Sequence, residues 1–292
     1  MEPSSKYLFK HKQSYFPSDL VTPEYIDSLE DFEIRDSDIF QVTFPKSGTI
    51  WTQNILSLIL HEGHRNGTED MDLADRVPWL EYNVRKRDYV NRPSPRLFAT
   101  HLPYNLVPKG LKNGRGKIIY VARNPKDVLV SYYHYSRVSV LLEEVEDFEM
   151  IMDHFLAGKV IGDLWLDHVE GWFAQRDHLN ILFLMYEEMK KDMRGCVMKI
   201  CNFLGKRLTE EEIDDVVDKA SFGKMSMDPR SNYTATHDNL LDLSKGRFMR
   251  KGTIGDWKNT MTVAQSEKFD SVFKERMEKL PFKFCWDIKD EL

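Results

Sequence analysis

The sequence predicts an α/β fold, a single domain in which helices flank a central parallel sheet. Three observations carry that reading. Short apolar runs alternate with longer segments of helical periodicity, the pattern of parallel strands joined by crossover helices. One of those runs passes through a Lys-Ser-Gly turn straight into a helical pattern, a P-loop-like strand-loop-helix. The 292 residues hold no internal repeat or low-complexity tract, and 41 % apolar with 30 % charged residues is the balance of an ordinary globular chain. Residues 1–292 are therefore read as one domain.

The elements follow in order. A first strand is expected at 38–44 ("DIFQVTF"), where Pro45 ends it, and a helix at 49–61 opens after Gly48 with Trp51 in its first turns. A second strand is expected at 96–99 ("RLFA") and a third at 117–122 ("KIIYVA"). The helix at 125–138 starts on Pro125, whose fixed φ suits a first helical position. Helical patterns at 147–157 and 162–176, a strand at 180–184 ("NILFL") and a helix at 189–204 complete the set. Two segments, "NRPSPRLFATHLP" and "SKGRFMRKGTIGDW", mix turn residues with aromatics and charges and read as ordered loops over a site.

Composition narrows the function. A net charge of −6 repels polyanions, so nucleic-acid binding is disfavoured and any anionic ligand must meet locally clustered Lys and Arg. Cys196, Cys201 and Cys285 form neither a CxxC pair nor an even framework, which fits reduced thiols and argues against a disulfide or zinc site. "MEPSSKYLFKHKQSYF" lacks the sustained apolar core of a signal peptide, and no apolar run is long enough to span a bilayer. A cytoplasmic chain is expected. The glycosylation patterns at Asn66-Gly67-Thr68 and Asn232-Tyr233-Thr234, and the retention-like Lys289-Asp290-Glu291-Leu292, are then coincidences.

The chemistry concentrates in a few motifs. In "TFPKSGTIW" the unpaired N–H groups and positive dipole end of a helix meet Ser47, Gly48 and Thr49, and Lys46 adds a full charge, so a phosphate or sulfate is stabilised there. The triphosphatase loop would need Gly-Lys-Ser/Thr and a strand ending in Asp for magnesium. Here Lys precedes Ser-Gly and the strand "IIYVARNP" ends in Arg123, so no metal is expected. Arg123 lies at the carboxyl end of a central strand, where open sheets place ligands, with Ser131 on the following helix. Arg250, Lys251 and Gly252 in "RFMRKGTIGDW" can clamp a second phosphate.

Taken together, "TFPKSGTIW", "VARNPKDVLVSYYHY" and "FMRKGTIGDW" resemble the three donor motifs of the cytosolic sulfotransferases, in the right order and over nearly the whole chain. The resemblance implies 3′-phosphoadenosine 5′-phosphosulfate as donor. It places Lys46, Ser47, Gly48, Thr49 and Ile50 around the 5′-phosphosulfate, and Trp51, Tyr186 and Phe222 around adenine. Arg123, Ser131, Arg250, Lys251 and Gly252 would take the 3′-phosphate. His101 in "FATHLP" matches the family's catalytic His, with Lys46 assisting the leaving group. Trp79, Tyr82, His101, Tyr135 and Tyr233 would face the acceptor, a small amine or hydroxyl compound.

The chain departs from its phenol-type relatives at Ala99, where they carry Lys, at Ile50, where they carry Thr, and at Ala220, where they carry a polar adenine contact. "GTIWTQNIL", "PSPRLFATHLPYNLVPKGL", "DPRSNY" and "PFKFCWDI" look most like the amine branch. Lys258, Thr262, Val263 and Glu267 have the spacing of the family's KxxxTVxxxE motif, which implies a homodimer through an interface below the roughly 1,200 Å² of stable complexes. The alternatives are a P-loop nucleotide kinase and a non-catalytic nucleotide-binding or scaffold protein.

Overall fold

Four parallel strands run through the middle of the molecule. The computed structural model describes residues 2–145, 147–234 and 240–287, so the tetrapeptide Lys289 to Leu292 lies outside the described residues. A hairpin of β1 (Leu8–His11) and β2 (Ser14–Pro17) comes first, turning at Lys12 and Gln13, both with positive φ as a primed hairpin turn requires. The sheet follows as β3 (Ile39–Thr43), β4 (Leu97–Thr100), β5 (Lys117–Ala122) and β6 (Ile181–Met185), in the order β4-β3-β5-β6 and parallel throughout. Each lies within one residue of its expected bounds, because an apolar run bounded by turn residues is the direct signature of a strand buried on both faces.

The helices are α1 (Pro23–Ser28), α2 (Thr49–Leu60), α3 (Leu73–Arg76), α4 (Lys109–Lys112), α5 (Pro125–Val138), α6 (Phe148–Leu156) and α7 (Trp165–Phe173). They continue as α8 (Tyr186–Lys191), α9 (Met193–Leu204), α10 (Glu210–Lys219), α11 (Phe222–Met227) and α12 (Val263–Met277). Strand alternation sorts the core into two layers. Phe40, Val42, Ile118 and Tyr120 pack with Val128, Trp165, Trp172 and Phe269 on one face. Ile39, Ile119 and Val121 pack with Ile55, Ile59, Val197 and Ile200 on the other.

Two helical expectations are corrected. The pattern at 162–176 becomes helix only at Trp165, since Gly162 and Asp163 hold φ of 90° and 65°, outside the helical region. The pattern at 189–204 is two helices, broken at Asp192 (φ −139°), whose carboxylate accepts the Gly195 N–H at 2.8 Å and caps α9. Asn232 is buried, donating to the Ser226 carbonyl and accepting from Thr234, and so offers no face for a glycan.

Candidate active site

The chain leaves β3 at Thr43 and reaches α2 through a turn in which Lys46 (φ 68°) and Gly48 (φ 95°) both take left-handed conformations. Gly48 is required there, because a Cβ would stand 2.7 Å from the Tyr186 ring. Gln41 Nε2 donates to the Thr49 carbonyl at 2.9 Å and the Thr43 and Thr49 hydroxyls meet at 2.8 Å, which holds the free amino end of α2 over the sheet. Thr49 and Ile50 face the cavity above. Ser47 is placed differently from its expected position on the wall: it is fully buried beneath the turn, and its hydroxyl has no protein partner.

Arg123 follows β5. Its Nη1 donates to the Lys46 carbonyl at 3.0 Å and its Nη2 to the Thr253 carbonyl at 3.2 Å, and the guanidinium lies 4.3 Å over the Tyr186 ring. Its Nε is buried without a partner. Ser131 faces the same space from α5. Arg250 and Lys251 are held on either side of the Asp256 carboxylate, and Gly252 (φ 63°) passes under Phe222 so closely that a Cβ would meet the ring at 2.7 Å. Trp51 stands edge-on to Tyr186 at 5.4 Å and donates its indole N–H to the Ala220 carbonyl at 2.8 Å. That backbone contact needs no side chain at position 220.

Segment 240–257 is tied to both ends of α5. The Asp127 carboxylate accepts the Gly255 N–H at 2.8 Å and the Trp257 N–H at 3.0 Å near the start of the helix. At its other end Val140 N–H donates to the Leu240 carbonyl at 3.1 Å and Asp242 N–H to the Val138 carbonyl at 2.7 Å.

These groups open on one cavity of about 460 Å³. Lys46 lines it, with Nζ 4.2 Å from the Tyr135 ring centroid and 4.4 Å from that of Phe248. Burial, with Arg123 and Arg250 nearby, pulls its pKa down to about 7. Beyond it, His101 Nδ1 lies 2.7 Å from the Thr43 carbonyl oxygen. A carbonyl can only accept, so Nδ1 carries the proton and Nε2 keeps its lone pair. Burial is the main cause holding the imidazole down to about 3, so it is neutral at physiological pH.

Trp79, Tyr82, Tyr135 and Tyr233 wall the far part. Trp79 packs against His101 at 4.6 Å and donates to the Tyr233 hydroxyl at 3.0 Å, which in turn donates to Gln53 Oε1 at 3.1 Å. Ala99 is fully buried in β4 beside Trp79, away from the cavity wall. Among the described residues Asp75 is the only carboxylate on the wall, and Arg85 and Arg87 pair with it.

The structure thus brings the expected donor and acceptor residues around one space, with Ser47 beneath it. It adds Phe248, stacked on Tyr233 at 6.1 Å, and Lys190, 5.5 Å over Trp51. Phe248 lies inside a motif read for Arg250, Lys251 and Gly252, Lys190 lies four residues after Tyr186, and neither spacing marks them. A dianion fits the donor part on the structure's own terms: three cations converge there, two buried polar atoms lack partners, and two glycines clear the floor.

Comparison with known proteins agrees. Residues 36–281 match the sulfotransferase domain family. An amine sulfotransferase of the rabbit (Oryctolagus cuniculus) is 54 % identical over 293 residues, covering 100 % of this chain and 97 % of that one. A 3-beta-hydroxysteroid sulfotransferase of the guinea pig (Cavia porcellus) is 41 % identical, covering 93 % and 95 %. Among solved structures, a mouse sulfotransferase complexed with PAP superposes with a TM-score of 0.78 at 32 % identity, covering 94 % of this chain and 95 % of that one.

Proposed function

Since the chain belongs to the sulfotransferase family, we propose that the cavity at Lys46 and His101 is its active site and that residues 1–292 work as one domain. The enzyme transfers a sulfuryl group from 3′-phosphoadenosine 5′-phosphosulfate to a small acceptor. The observation that carries the site assignment is that a neutral imidazole, His101, and the buried Lys46 line one cavity.

The donor supplies the sulfuryl group and the anionic oxygens; the chain supplies position and charge. The turn from Lys46 to Ile50 faces the phosphosulfate, Arg123, Ser131, Arg250, Lys251 and Gly252 the 3′-phosphate, and Trp51, Tyr186 and Phe222 the adenine. Ser47 supports the turn from below. His101 Nε2 takes the acceptor's proton as its oxygen or nitrogen attacks, and Lys46 stabilises charge on the departing phosphate oxygen. The transfer is direct, with no covalent enzyme intermediate.

The acceptor is an amine or hydroxyl compound of amine-branch type. The likeness to the rabbit protein supports this, as do the four aromatic walls, which stack on flat phenols and aryl amines and tolerate an ammonium by about 0.5–2 kcal/mol. The protein works in the cytoplasm as a homodimer through Lys258, Thr262, Val263 and Glu267; Val263 and Glu267 are exposed on α12.

Labelled donor offered to one phenol, one aryl amine and one aliphatic amine across pH tests the reading. The aliphatic amine should require higher pH than the phenol, because it attacks only after losing its own proton. No transfer to either amine beside brisk phenol turnover would leave a phenol or steroid enzyme. His101→Ala should lose roughly 10²-fold in turnover and keep its affinity for adenosine 3′,5′-bisphosphate. That bisphosphate should stabilise the fold by about 2.7 kcal/mol at 100 times its Kd, and adenosine 5′-monophosphate by far less.

A further inference from the structure

His101 borders two spaces. It lines the main cavity, and it also lines a small hollow of about 10 Å³ behind it, shared with Glu81, Tyr82, Ser14 and Asp163. Such a hollow is about the size of a single water. Glu81 is only 1 % exposed. The backbone puts it there: Leu80 N–H donates to the Ala99 carbonyl and Ala99 N–H to the Pro78 carbonyl, both at 2.9 Å, so this stretch runs beside β4 and brings Glu81 alongside His101. Glu81 Oε1 accepts the His101 backbone N–H at 2.6 Å, while Oε2 is buried with no hydrogen-bond partner among the described residues. A carboxyl sealed away with one oxygen unmatched is costly, and nothing in the transfer described above uses it.

We propose that Glu81 is a positioning residue for His101: it fixes the backbone that presents the imidazole and, as a carboxylate, supplies the negative charge facing the imidazolium formed when His101 takes the acceptor's proton. The inference rests on His101 being the base. In that step the acceptor O–H bond breaks and its proton passes to Nε2, the oxygen forms a bond to sulfur, and the electron pair of the broken S–O bond leaves on the donor's phosphate oxygen. The imidazolium then returns its proton to water. Inside the main cavity Asp75 cannot compensate the imidazolium, being paired with two arginines.

The titratable groups around this pair are Tyr25 of α1, Tyr82, Tyr89, Asp163, His168 of α7, and Lys46. Burial holds the three phenols up and His168 down, so these are neutral, and it raises Asp163 to about 6. Burial also raises Glu81 to about 7, against the bonds from His101 N–H and the Thr100 hydroxyl. His101 is already neutral well below that. As pH falls through about 7, Glu81 is therefore the member of the pair that changes charge, and turnover should fall with it.

Glu81→Gln keeps an oxygen for the His101 N–H and removes the charge. With a phenol that is protonated at assay pH, we expect turnover about tenfold below wild type at about pH 8, without the acid limb, and unchanged affinity for adenosine 3′,5′-bisphosphate. With pentafluorophenol, ionised before it binds, no imidazolium forms and the variant should be within about twofold of wild type. Infrared difference spectra between wild type and Glu81→Gln should show a protonated-carboxyl band at about pH 6 that is gone at about pH 8. If the variant does not fold, the wild type decides: an acid limb near pH 7 with the protonated phenol and none with the ionised one supports the inference, and identical profiles overturn it. Equal losses on both acceptors, or an acid limb retained in Glu81→Gln, also overturn it. Wild-type turnover in His101→Ala would instead remove the base assignment itself.

Discussion

At the proposed donor site Lys46 has a pKa lowered to about 7, so a large share of the free enzyme carries it uncharged at pH 8. A bound dianion favours the ammonium, which raises the pKa in the complex. Binding above pH 7 must then take up a proton, and affinity must weaken as pH rises from about 7 toward 9. Calorimetric titration of adenosine 3′,5′-bisphosphate at pH 8, in two buffers of different ionisation heat, should register uptake approaching about one proton per site, lost in Lys46→Met. Affinity that stays constant over this range would contradict it. Lys46 and His101 could be singled out as candidates from the sequence because each sits in a short motif whose chemistry depends on residue type. Asp256, Phe248 and Glu81 could not: their roles come from contacts with Arg250, Lys46 and His101 that no local spacing encodes.

At the level of elements, α5 organises the proposed donor half. Arg123 precedes it, Ser131 projects from it, and Asp127 near its start receives two backbone N–H groups of the loop that carries Arg250 and Lys251. Asp127→Ala leaves those donors without their acceptor at a cost of about 2–3 kcal/mol, and releases the segment that carries Arg250 and Lys251. The expected result is a lower melting temperature together with bisphosphate affinity reduced by about tenfold or more; full affinity in a folded variant would show that the loop holds its shape alone. The same scale explains why the four strands of the central sheet were read more accurately than the helices, while the hairpin β1–β2 was not anticipated. A strand buried on both faces announces itself as an apolar run. The end of a helix depends on single residues such as Asp163 and Asp192, whose backbone conformations override a periodicity that continues past them. Helices α10 and α12 lie beyond the helical patterns expected from periodicity, and each opens on a capping box, Thr209 with Glu212 and Thr262 with Gln265.

For the whole molecule, a net charge of −6 coexists with a cavity that gathers five Lys and Arg side chains on its donor side: Lys46, Arg123, Lys190, Arg250 and Lys251. The charge that matters is local, so a global sign that disfavours polyanions is compatible with binding a small dianion. Val263 is 75 % exposed at the first turn of α12, an apolar side chain left to a partner in the proposed dimer. Val263→Asp should convert the dimer to a monomer in analytical ultracentrifugation while leaving the melting temperature nearly unchanged; a persistent dimer would place the interface elsewhere. Segment 240–257 works at this largest scale as well. Moored at both ends of one rigid rod, it can bow outward but cannot slide, much as a bridge deck hangs between two piers. Arg250 and Lys251, tied to Asp256 beside the second pier, sit at the short end of that span, while Phe248, nearer its middle, stacks on Tyr233 of the aromatic chamber.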